Sequence, residues 1–262
     1  MRPATPGAWF WAVWIGTAAV LRGGEPSAPD EPHLARELCR AYRAVETVYC
    51  EIRKVTAVEG RTPVRMLSCV TYRRPDRIHV ENAAPVRRRI IADGQTLYYY
   101  EQGLPRGFSR PISKLDPEWL AMLRTVPGTP MEHLQRLQDL PETRLPAADF
   151  PLRALYRATN TVVVLSCDDQ KRPVRIEYFA SEQMTNRLAD CRYGDFRDTG
   201  AGCWIPCRHE AVRRLPDGTD ATERRFIHNL EVNGPVDPAL FDVRGFLPEV
   251  EFVDEFRRTY QP

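Results

Sequence analysis

The sequence predicts a mainly β protein with helices (α+β), folded as an incomplete antiparallel β-barrel under a helical lid. Three observations predict it. Apolar and polar residues alternate with period two along most of the chain. Turn-forming residues separate consecutive strands, with no βαβ rhythm between them. Two short, sharply delimited helices interrupt the strands in a lid insert at about 111–147. A twisted antiparallel sheet of about ten strands tends to curl or close, and its concave side must be covered.

The elements follow in order. From Asp30, the residues Leu34, Leu38, Ala41, Tyr42 and Val45 form one apolar stripe at helical spacing, with Pro32 where a first-turn proline is tolerated. The period then changes to two. "TVYCEIRKVTAVEGRTPVRMLSCVTYRRPDRIHVENA" reads as a long hairpin turning at Glu59-Gly60, followed by an alternating strand with Ile78 and Val80 on one face. "VRRRIIADGQTLYYYEQ" supplies a second hairpin, with Asp93-Gly94 suited to the centre of a type I′ turn. On its outgoing arm the three tyrosines must alternate: Tyr99 shares a face with Leu97, while Tyr98 and Tyr100 share the other. In "DPEWLAMLRTVPG", Asp116 is an N-cap and Pro117 the first helical residue. In "TPMEHLQRLQDLP", Thr129 and Glu132 form a capping box with Pro130 between them, and Met131, Leu134, Leu137 and Leu140 share a face. "PETRLPAADFP" reads as a proline-punctuated loop. Strands return from Leu152 as an antiparallel meander, in which Arg175 to Tyr178 and Phe226 to Leu230 alternate.

The chain ends constrain location. Arg2, the 13-residue apolar run Ala8 to Val20, and a small, polar, Pro-rich exit have the layout of a secretory signal peptide. The run is shorter than the roughly 20 residues of a spanning helix. The expected organisation is a signal peptide at 1–24, a linker at 25–32 and a single domain at 33–262. A formal net charge of +2 gives no footing for a nucleic-acid partner. Only three of the 37 basic residues are lysine. The arginine runs Arg73-Arg74, Arg87 to Arg89, Arg213-Arg214 and Arg224-Arg225 read as solvated strand faces, the alternative being a rim for lipid phosphates or an acidic partner.

Seven cysteines in an oxidising compartment suggest disulfides, with at least one thiol left over. If the first hairpin turns symmetrically about Glu59-Gly60, Cys50 and Cys69 lie opposite each other. Cys191 and Cys207 make a second cross-strand candidate. Cys203, Cys207 and His209, with Cys191, invite a zinc or redox reading. However, four residues along a strand separate the two sulfurs by roughly 13 Å, too far for one tetrahedral ion. No phosphate-binding glycine motif, HExxH, GxSxG or paired catalytic carboxylates occur, so neither an enzyme, a metal nor a cofactor is expected.

Two segments carry a family resemblance. "VTYRRPDRIHVENAAPVRRRIIADGQTLYYYEQG" and the closing "LEVNGPVDPALFDV" resemble the signature strands of the periplasmic outer-membrane lipoprotein carrier (LolA-like) family. The resemblance implies a half-open barrel whose apolar cavity accepts lipoprotein acyl chains or other lipid. It also implies exchange with an inner-membrane lipoprotein-release transporter and an outer-membrane acceptor, without covalent chemistry or cofactor. On that basis Ile78, Val80, Leu97, Tyr99, Ile176 and Tyr178 are expected to line the cavity, and Trp119, Met122 and Leu123 to face it from the lid. A monomer in the periplasm is expected. The seven cysteines and the long insert depart from the simple carrier pattern. The alternative reading is a non-catalytic envelope sensor or interaction module whose barrel is filled.

Overall fold

The computed structural model describes residues 33–200 and 202–254. The expected signal peptide (1–24) and linker (25–32) lie outside the described residues. The chain runs from helix α1 (Leu34–Tyr42) into strands β1 (Thr47–Val58), β2 (Val64–Arg73), β3 (Arg77–Ala84), β4 (Arg88–Asp93), β5 (Thr96–Glu101) and β6 (Gly107–Pro111). A 3-10 turn at Ile112–Lys114 leads to α2 (Pro117–Arg124) and α3 (Met131–Leu137). Then come β7 (Glu142–Leu145), β8 (Leu152–Ala158), β9 (Thr161–Cys167), β10 (Pro173–Phe179), β11 (Arg187–Asp198), β12 (Trp204–Arg214) and β13 (Asp220–Val232). A second 3-10 turn (Pro238–Phe241), the single turn α4 (Val243–Phe246) and β14 (Phe252–Val253) complete it.

All strands belong to one sheet, ordered β14-β6-β5-β4-β3-β2-β1-β13-β12-β11-β10-β9-β8-β7. Two meanders, β1 to β6 and β7 to β13, are joined where β13 returns antiparallel to β1. Among the described residues, only β14 pairs in parallel, with Phe252 opposite Gly107. The sheet is not closed; β14 and β7 are its edges.

Alternation sorts the side chains. Cross-strand partners share a face, so the register Leu97↔Ala92, Ala92↔Ile78, Ile78↔Tyr72 and Tyr72↔Val48 defines one apolar face. That inner face carries the main core, where Val48, Cys50, Val70, Tyr72, Tyr156, Leu165, Ile176 and Ile205 pack with Leu34, Leu38 and Tyr42 of α1 and Met131, Leu134 and Leu137 of α3. The α1 stripe is the one its spacing predicts. Its C-terminal carbonyls are held by Arg74, whose guanidinium donates to Tyr42 O (3.2 Å) and Val45 O (3.1 Å). On the outer face, the segment from Pro238 to Val253 covers β3 to β5. Phe246 meets His79 at 4.6 Å and lies under the Arg89 guanidinium, and Phe252 meets Tyr98 at 5.1 Å.

Several expectations are corrected. The described residues form fourteen strands in place of about ten. "PETRLPAADFP" is not all loop, because Glu142–Leu145 pairs with β8 as an edge strand. The Asp93-Gly94 hairpin is not type I′. Its two loop residues are Gly94 and Gln95, with positive φ only at Gly94 (+100°), and the Asp93 carboxylate accepts from Gln95 N (2.7 Å) and Thr96 N (2.8 Å). Glycine therefore takes the first central position, as in type II′. The third helix starts at Met131, and Thr129 Oγ1 accepts from Met131 N at 3.3 Å instead of closing a box with Glu132.

Both expected disulfides are absent, and all seven cysteines are free thiols. The first hairpin centres on Gly60, so Cys50 opposes Val70 and Cys69 opposes Glu51. A shift of one residue sends the two thiols to opposite faces. Cys191 opposes Ala211, four residues along β12 from Cys207.

Candidate functional site

The inner face and its helices make the candidate site. Four of the six expected lining residues are buried there: Leu97, Tyr99, Ile176 and Tyr178. Ile78 and Val80 are half-buried and touch both apolar clusters of that face. The six do not converge on one pocket. Ile176 and Tyr178 sit in the main core beneath α3, whereas Leu97 and Tyr99 join Ile90, Ala92, Ile112 and Leu123 in a smaller cluster beneath α2. Between β5 and β10 lie seven strands, so the groups are roughly 38 Å apart along the sheet at about 4.8 Å per strand. Sequence alternation finds the face and cannot report that distance.

The smaller cluster is the more separable. Here α2 contributes Leu123, with Trp119 and Leu120 packed at its margin. Met122, expected on that face, is half-buried and projects about 100° around the helix from it; Leu120 takes its place. The helix starts as its sequence predicts, with Asp116 Oδ1 accepting from Trp119 N at 3.0 Å. At its other end, Arg124 forms a two-point ion pair with Asp76 in the turn after β2 (2.8 and 3.3 Å), and Tyr72 Oη donates to Arg124 O at 3.5 Å. Below the cluster, Tyr99 Oη donates to Glu101 Oε2 (2.8 Å), which also accepts from buried Arg88 (2.8 Å). Arg88, from the middle of an arginine run, thus points into the protein and not to a solvated rim.

The main core is covered by α3, which belongs to the expected lid insert, together with α1, which lies outside it. Their signals were in the sequence, as the Leu34–Leu38–Tyr42 and Met131–Leu134–Leu137 stripes, but a stripe does not say which part of a sheet it covers. Between α2 and α3 the chain crosses β13 so closely that a Cβ on Gly128 (φ +80°) would stand 2.2 Å from Ile227 Cδ1. In α3, His133 Nδ1 and Tyr178 Oη are 2.6 Å apart. Burial lowers the His133 pKa and raises that of Tyr178.

Two surface cavities lie away from the expected cavity-lining residues. One, of about 700 Å³, opens where β13 parts from β12 beyond the pair Arg208↔Phe226, and Phe196, Cys207, Ile227 and Leu230 line it. The other, of about 410 Å³, lies between Tyr98 and the segment from Pro248 to Phe252. Among the described residues, no group of three or more His, Cys, Asp or Glu side chains is arranged to hold a metal ion.

The architecture is LolA-like. Superposition on a LolA superfamily protein from Nitrosomonas europaea gives a TM-score of 0.52 at 14% identity, covering 81% of this chain and 99% of that one. An outer membrane lipoprotein-sorting protein domain from Vibrio parahaemolyticus gives 0.50 at 12% identity, with 80% and 94% covered. A DUF1329 family protein from Desulfovibrio piger gives 0.50 at 13% identity, with 81% and 95% covered. At these identities the likeness is one of fold. No family model matches the sequence, and neither does any curated protein.

Proposed function

We propose that the protein is a monomeric, non-catalytic periplasmic carrier that holds lipoprotein acyl chains, or another lipid, against the inner face of its sheet. The exported chain carries its signal peptide at 1–24, a linker at 25–32 and one carrier domain at 33–262. Cargo is received from an inner-membrane release transporter and passed to an outer-membrane acceptor, with no cofactor. The observation that carries this reading is the arrangement of α2, which covers an apolar cluster that joins the main core through Ile78 and Val80 and is held at one end by the Asp76–Arg124 pair. Lifting that helix exposes Ile90, Leu97, Tyr99 and Leu123, while α1 and α3 cover the main core. Each acyl methylene buried there contributes about 0.8 kcal/mol.

The test is native mass spectrometry of the full chain exported to a Gram-negative periplasm, before and after delipidation, with titration by a fluorescent fatty acid. Bound acyl species and saturable fluorescence are expected. A lipid-free chain that binds no fatty acid overturns the carrier reading. That outcome favours the second reading, an envelope interaction module, which rests on the burial of Leu97 and Ile176 to 2% and 0% exposure.

A further inference from the structure

One line of side chains crosses the inner face at right angles to the strands. Tyr193 on β11 opposes His209 on β12, His209 opposes Arg225 on β13, and Arg225 opposes Lys54 on β1. The next apolar line, Ile227 and Ile52, lies two residues along the strands, beside the crossing of Gly128. The polar line therefore adjoins the apolar bed at the margin of the α3 cover.

Its chemistry is unusual for a sheet core. The Tyr193 and His209 rings are stacked at 4.8 Å and 11°. Both residues are only 8% exposed, yet Tyr193 Oη and both His209 ring nitrogens have no hydrogen-bond partner among the described residues. Beside them, Lys54 Nζ (2.8 Å) and Arg225 Nη2 (2.9 Å) share one carboxylate, that of Glu223. Two cations against one anion leave the line net positive. Exposed Glu132 and Arg136 of α3 add one charge of each sign nearby, and half-buried Arg213 lies four residues further along β12 than His209. Burial pushes the His209 pKa down to about 3, and Arg225 adds to the shift, so at neutral pH the ring is neutral and has one N–H to donate.

Leaving buried donors unpaired is costly, and replacing both rings by phenylalanine would remove that cost. Two stacked rings with unpaired donors beside surplus positive charge match a ligand oxygen that carries negative charge. We propose that Tyr193, His209, Arg225 and Lys54 form a binding site for a phosphate or carboxylate group, placed to receive the head of an amphiphile whose chain lies on the adjoining apolar face. The anion site stands on this line alone; the amphiphile depends on the carrier reading.

Calorimetric titration of the full chain separates the sources with three probes: dodecyl phosphate, 1-dodecanol and inorganic phosphate. Tyr193→Phe and His209→Phe are each expected to weaken dodecyl phosphate at least tenfold, to leave dodecanol within twofold, and to keep or raise the urea midpoint of unfolding. Ring nitrogen resonances of His209 in the unmutated chain should shift on adding the phosphate probe. Inorganic phosphate that binds alone, and is lost in both variants, upholds the anion site with a free anion as its ligand. In that case, absence of dodecanol binding counts against the carrier reading only. Equal dodecyl phosphate affinity in both variants, or no binding of either phosphate, overturns the proposal. Dodecanol binding in that outcome leaves the carrier reading standing.

Discussion

Gly128 shows how one residue couples cover to sheet. Its φ of +80° lies in the left-handed region, and its absent Cβ is what lets Ile227 approach. Gly60 has a similar φ of +73° with nothing within 4 Å. Gly60→Ala should therefore cost only the backbone strain, about 1 kcal/mol, and Gly128→Ala about 2–4 kcal/mol once overpacking is added, as read from urea midpoints. The buried histidines set acid sensitivity. Unfolded His209 titrates near 6.5 and the folded residue near 3, with Arg225, Glu223, His133 and Lys54 facing it. The unfolded chain thus binds the proton first as pH falls, so stability is full above about pH 6.5 and drains toward pH 3. His209 alone should remove about 2 kcal/mol between pH 6.5 and 5, and a denaturation series of His209→Phe should lack that slope. Thiol chemistry belongs at this scale too. Burial pushes Cys50 and Cys191 up to about 12, while Cys69 is exposed. A thiol reagent should react fastest at Cys69, more slowly at half-buried Cys207, and with all seven after denaturation, and a denatured count of three or five would restore the disulfides.

At the scale of elements, an edge strand organises the first helix. Glu142 of β7 accepts from Leu34 N (2.7 Å) at the start of α1 and from Tyr156 Oη (2.6 Å), where its charge also complements the helix terminus. Glu142→Gln should lower stability by about 1–3 kcal/mol, measured by chemical denaturation. The helix α2 is held more lightly. Arg124 is half exposed, and such pairs contribute about 0.2–1 kcal/mol. Asp76→Asn should speed release of a fluorescent fatty acid up to about fivefold, with little change in melting temperature. An unchanged release rate would remove α2 from the role of gate.

Across the whole molecule, the long sheet depends on how its edges and outer face are covered. The parallel strand β14 covers β6, and Gly107 has no Cβ because Phe252 would stand 2.4 Å from it. A stop codon after Leu247 should uncover the β6 edge and the Tyr98 ring, giving concentration-dependent association in size-exclusion chromatography.

Much of this was legible in the sequence, because alternation and helical stripes are local. Period two sorted Ile78, Val80, Leu97, Tyr99, Ile176 and Tyr178 onto the inner face. The proline and cap residues delimited α2, and the signature strands pointed to the LolA-like fold. What the sequence could not decide was register and distance. A one-residue shift at Gly60 separated Cys50 from Cys69, and strand order placed Tyr99 and Tyr178 eight strand spacings, roughly 38 Å along the sheet, from each other on one face. Arg224-Arg225 reads as a single charged pair, yet only Arg225 turns inward to meet His209. Each residue's own alternation determines which face it takes. Its neighbours on that face come from strands far away in the chain, so tertiary pairing alone assembled Tyr193, His209, Arg225 and Lys54 into one line.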